Sequence, residues 1–84
     1  MTRASDWARD YLRDHPAVVT VRLGLGYDEL TGNVSAWIDL IYLDGGHAAA
    51  NSSSTLPVIP KDVANDLRAI LHTGGSLDVE RENT

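Results

Sequence analysis

The chain has 84 residues, 43% hydrophobic and 23% charged, with no cysteine. That suffices for one domain spanning 1–84, and it excludes disulfide or cysteine–metal staples, so a partner subunit would help so small a core. Six arginines and one lysine face nine aspartates and three glutamates, a net charge of −5, which argues against direct nucleic-acid binding, since that needs a cationic face to release counterions.

Ser5 to Asp14 reads as a helix. Ser5 is placed to cap it, Asp6 suits the positive end of the helix dipole, and Trp7, Ala8, Tyr11 and Leu12 share one face. His15-Pro16 ends it, because a residue before proline is pushed out of the helical region. Val18 to Tyr27 alternates as a strand, with Val19, Val21, Leu23, Leu25 and Tyr27 on one side. Asp28 to Asn33 has turn composition. Val34 to Leu43 is a second strand, with Val34, Ala36, Ile38, Leu40 and Tyr42 facing inward.

The hairpin register follows from side-chain pairing. Setting Tyr27 opposite Val34 brings the apolar rows together, from Leu25 with Ala36 to Val19 with Tyr42. On the other face it sets Arg22 against Asp39 and Gly24 against Trp37, a charge pair and an indole lying across a bare glycine backbone. Sliding by two residues would lose both.

Residues 44–55 carry few large apolar side chains. They read as a mobile loop, or as a hairpin turn at Asp44-Gly45 followed by a weak edge strand. Leu56 to Ile59 is an extended lead-in. Pro60 opens a second helix to about Thr73, with Val63, Leu67, Ile70 and Leu71 as its buried stripe. Gly74-Gly75 stops it, a short strand runs from Ser76 to Glu80 beside one of the two long strands, and residues 81–84 form a frayed tail. The fold class is α+β: a small two-layer domain in the order α-β-β-(loop)-α-β, an antiparallel hairpin sheet with both helices on one face.

No set of residues specifies catalysis. His15, His47 and His72 lack metal-binding spacing, and His15 and His72 sit where they can cap helix ends. Gly24-x-Gly26 lies inside a strand, where packing under Trp37 explains it better than phosphate binding. Ser52 to Thr55 has no base held by a rigid element. The expectation is a non-enzyme with no cofactor and no metal. No apolar run is long enough to span a membrane and no leader begins the chain, so the expected location is cytoplasmic with no membrane partner.

The excess acid lies in residues 28–55, where Asp28, Glu29, Asp39 and Asp44 meet no lysine or arginine, and in the tail. The hairpin face away from the helices carries Trp37, Ile41, Leu43 and Val18, edged by Arg22, Asp39 and Thr20, a composition of interface anchors. It can be covered by the chain itself, by a second copy or by a foreign partner. The candidate partner-binding residues are Trp37, Asp39, Ile41, Arg22, Asp28, Glu29 and Asp44.

The stretch Leu56-Pro57-Val58-Ile59-Pro60, the helix Asp62 to Leu71, Thr73-Gly74-Gly75 and the strand Leu77 to Val79 resembles the C-terminal part of a family of immunity proteins from bacterial polymorphic toxin systems. The proline that usually follows the Thr-Gly stop and the closing tryptophan are missing, with Glu80 near the latter's place. The resemblance implies a cytoplasmic protein that neutralises a toxin. Small acidic phage proteins that block host defence complexes look similar in size, charge and α+β make-up. The helix–strand–strand–helix order is also similar to the double-stranded-RNA-binding fold, but Lys61 followed by Asp62 is not that fold's lysine cluster. The expected function is therefore inhibition of a protein partner by covering its basic surface. The second reading is a homodimeric structural or interaction domain.

Overall fold

A computed structural model describes residues 2–48, 56–72 and 75–81. Helix α1 (Ala4–Asp14) leads into the antiparallel hairpin β1 (Val18–Asp28) and β2 (Asn33–Tyr42). A two-residue strand β3 (His47–Ala48), helix α2 (Lys61–Leu71) and strand β4 (Gly75–Glu80) follow. The sheet order is β3-β2-β1-β4, so β1 is the strand that β4 chooses, and it lies at the centre. Both helices pack on one face, as the α+β reading expects.

The hairpin register is the expected one from Thr20 to Asp28, including Arg22 opposite Asp39 and Gly24 opposite Trp37. It breaks at a β-bulge between Val18 and Thr20. The extra residue reverses the alternation, so Val18 and not Val19 pairs with Tyr42. Val18, expected on the face away from the helices, is instead turned into the core by the bulge, and the expected inward role of Val19 is corrected to a half-buried position.

The core joins Ala4, Ala8 and Leu12 of α1 with Val63 and Leu67 of α2 over Val21, Leu23, Leu25, Ile38, Leu40 and Val79. Trp7, Tyr11 and Leu71 pack around its margin. Ile70 is not in the core but 48% exposed. The buried arc of α2 runs from Val63 through Leu67 toward Leu71 and turns away from Ile70 in the last turn.

The helix ends use longer-range partners than local sequence suggests. Ser5 does not cap α1; it lies inside it. The Ala4 N–H donates to Asp66 of α2 at 2.7 Å and the Thr2 N–H to Asp62 at 2.9 Å, so one helix satisfies the open N-terminus of the other. At its C-terminus His15 stacks on Tyr11, with ring centroids 3.9 Å apart, and its Nδ1 lies 2.9 Å from the Tyr11 carbonyl. The left-handed residue that ends α2 is His72 (φ 58°), one turn before Gly75 (φ 106°).

Residues 44–48 take the second of the two expected forms: a turn at Asp44-Gly45, then β3 at the edge. The rest of the expected loop, 49–55, lies outside the described residues, as do 82–84. Arg81, expected in a frayed tail, is tied down. Its N–H donates to the Val19 carbonyl at 2.8 Å, and its guanidinium donates to the carbonyls of Leu12, His15 and Val18.

Leu67→Ala should cost about 2–5 kcal/mol through lost transfer energy and a residual cavity, whereas Ile70→Ala should cost less than about 1 kcal/mol. Arg81→Ala should cost about 1.5–3 kcal/mol, since several carbonyls lose a charged donor at once, and Arg81→Lys should not restore it because an ammonium lacks the guanidinium fork. Denaturant titration of the four variants beside the parent chain checks all four statements.

Candidate functional site: the open face of the sheet

The helices leave the opposite face of the sheet uncovered. Alternation places Thr20, Arg22, Gly24 and Gly26 of β1 there, with Ser35, Trp37, Asp39 and Ile41 of β2 and Ser76, Asp78 and Glu80 of β4. These residues meet in cross-strand rows. Glu80, Thr20 and Ile41 form one row, Asp78, Arg22 and Asp39 the next, and Ser76, Gly24 and Trp37 the third.

Trp37 lies flat rather than upright. A Cβ at Gly24 would collide with the six-membered ring of the indole, and one at Gly26 would sit 3.6 Å from its five-membered ring. The indole therefore spans two rows of β1, which is possible only because both residues beneath it lack side chains. Gly24 is also crowded from the other side, 2.8 Å from the position of its missing Cβ to the Gly75 carbonyl.

Arg22 reaches across to β4. Its Nε donates to one carboxylate oxygen of Asp78 at 2.7 Å and its Nη2 to the other at 3.1 Å, a two-point contact. The hydrogen bond and charge of Asp78, and then the charge of Asp39, raise the pKa of Arg22 above its ordinary value. The Arg22 hydrogen bond holds Asp78 below its ordinary value of 3.8. Sequence reasoning paired Arg22 with Asp39 alone. Register does set the two opposite, but the two-point contact goes to Asp78, because β4 docks on the other side of β1. Glu80 was missed for the same reason. The alternation of residues 76–80 was legible, and only the neighbour of that strand was not.

Arg22, Trp37, Asp39 and Ile41 are thus brought together on one face. Asp28, Glu29 and Asp44 are not. Asp28 and Glu29 lie at the β1–β2 tip, where Asp28 accepts the Leu30 N–H at 2.9 Å. Asp44 lies in the turn at the other end of β2 and accepts the Gly46 N–H at 2.8 Å. The two ends are about 30 Å apart by strand rise. A further feature was not anticipated: a cleft of about 450 Å³ between Ala36, Trp37 and Ile38 of β2, the extended Leu56 to Ile59, and Ala64 of α2. Its lining is mainly apolar, with no charged side chain.

Among the described residues no group of three or more His, Asp or Glu could hold a metal ion, and no helix is long and apolar enough to cross a membrane. No family model, curated protein or solved structure matches the chain.

Gly24→Ala should cost about 1–3 kcal/mol by forcing the indole off the sheet, and Gly26→Ala, which makes only ordinary contact, should cost much less. The double variant Gly24→Ala/Trp37→Ala should be less destabilised than the sum of its parts; strict additivity would mean that the two residues do not touch. Acid titration tests the carboxylates. Asp62, whose partner is the Thr2 N–H, and Asp78 both have depressed pKa values. Their contribution is therefore present above 3.8 and is lost as pH falls through the lower folded values. Asp78→Asn should flatten the melting-temperature profile below about pH 4 while leaving its neutral-to-alkaline shape unchanged.

Proposed function

We propose that the chain is a small acidic, non-enzymatic binding protein that acts in the cytoplasm and inhibits a protein partner by covering a basic surface, as toxin-immunity and phage anti-defence inhibitors do. The observation that supports this reading is the open sheet face. It combines a flat indole and Ile41 with three carboxylates, Asp39, Asp78 and Glu80, and among the described residues Arg22 is the one cation set in their rows. Apolar anchors beside unbalanced negative charge suit a desolvated contact with a cationic rim. The net charge of −5 adds long-range attraction for the same class of partner.

A partner captured on the intact chain should be purified and its affinity measured across salt. Binding should weaken steadily between about 50 and 300 mM salt, as exposed charges are screened. Trp37→Ala should remove about 2 kcal/mol or more of affinity, as central aromatic anchors do. Charge reversal at Asp28 and Glu29 should mainly slow association and leave stability within about 0.5 kcal/mol. Salt-indifferent affinity would overturn electrostatic capture. A concentration-dependent dimer whose interface buries Trp37 would replace the foreign partner with a second copy.

A further inference from the structure

We propose that the outer edge of β4 receives an extended strand from the basic partner, so that the sheet gains a strand alongside the face described above. This rests on the reading of a basic protein partner and adds how that partner attaches.

The backbone of β4 shows which groups are available. The N–H of Arg81 donates to the Val19 carbonyl, so odd-numbered residues along this segment turn their amides toward β1. Val79 and Leu77, paired with Val21 and Leu23, follow the same pattern. Ser76, Asp78 and Glu80 then turn theirs away from the sheet. Their N–H and C=O groups form a regular ladder over a six-residue strand, and among the described residues no strand pairs with it. The residues flanking 49–55 sit at the far edge, since Ala48 pairs with Leu40 and Leu56 lines the cleft beside Ala36.

The same three residues direct their side chains onto the open face, and all three are exposed. An antiparallel strand added here would set its own residues directly opposite Asp78 and Glu80, side chain beside side chain. Lysine or arginine at those alternate positions meets two carboxylates. The intervening residues fall on the helix side, next to Leu77 and the buried Val79, and should be apolar. The occupant is therefore a strand of alternating basic and apolar residues.

Charge disfavours a second copy of this strand. In pairing two β4 strands the outward residues must oppose one another. The register that matches all three sets Asp78 against the Asp78 of the second copy, and a slip by one pair in one direction sets Asp78 against Glu80. Like charges directly opposite destabilise such pairs.

The test uses the intact chain and an alternating lysine–valine peptide of about nine residues, long enough to cover the strand. In the bound register the lysine amides face β4 and the valine amides face away. N-methylation of the lysine amides should weaken binding about tenfold or more, since each lost hydrogen bond is worth a large part of a decade. N-methylation of the valine amides should leave it within about twofold. Hydrogen exchange at the Ser76, Asp78 and Glu80 amides should slow on binding, and Asp78→Asn/Glu80→Gln should weaken the peptide without removing that protection pattern. Equal affinity of the two methylated peptides would overturn strand addition while leaving capture by charge in place. No binding of the unmodified peptide at low salt would overturn strand addition too, and the salt titration with a whole basic partner would then judge the face reading separately. Protection of the same amides in the peptide-free chain at concentrations where it dimerises would assign the edge to a second copy and overturn the proposal.

Discussion

Two helices of eleven residues each can cover only one side of the sheet, and most of the architecture follows from that limit. The covered side collects the large aliphatic residues, from Leu23 and Leu40 to Leu67, and carries most of the hydrophobic stabilisation. The other side must survive in water without a layer of its own. Its central strand therefore carries Thr20, Arg22, Gly24 and Gly26 rather than four aliphatic residues. Laying Trp37 flat over the two glycines hides part of the indole and covers backbone that would otherwise face solvent.

The termini are integrated by polar contacts, which matters in a chain with no disulfide. Asp66 and Asp62 of α2 accept backbone N–H groups at the start of α1, so the two helices are joined at one end. Arg81 does the converse at the other end. Its guanidinium reaches the carbonyls of Leu12 in the last turn of α1, of His15 just after it, and of Val18 at the bulge. A helix C-terminus needs donors, and a bulge leaves a carbonyl outside the regular ladder; one planar cation serves both. The bulge also explains how Val18 enters the core while Val19 keeps its carbonyl for the Arg81 N–H.

The proposed function rests on the uncovered side. A face that need not bury a helix is free to present an indole, an ion pair and carboxylates together, and to leave a strand edge next to them. In the proposed reading, the net charge of −5 sets the sign of the partner: cationic, with apolar side chains at intervals.

What the sequence by itself determined was local or periodic. Alternation identified both long strands, and the joint requirement that Arg22 find a charge and Gly24 a cover selected their register, since a slip by two residues would have kept the apolar rows together but lost both of those pairs. The helix at residues 61–71 was legible from its apolar spacing and from Pro60. What only the tertiary structure decided was which distant segments lie side by side. The alternation of residues 76–80 says which side chains share a face but not which strand is the neighbour, so Asp78 as the partner of Arg22 became visible only once β4 docked against β1. Arg81 and Asp66 satisfy backbone groups more than sixty residues away, and no local pattern encodes such a distance. Ser5 looked like a cap because capping was judged within one segment, while the carboxylate of another helix took the Ala4 amide. The bulge at Val18 left no turn residue or glycine to announce it; its benefit, burying Val18 in the core and aligning Val19 with Arg81, exists only when the first helix and the last strand are already together.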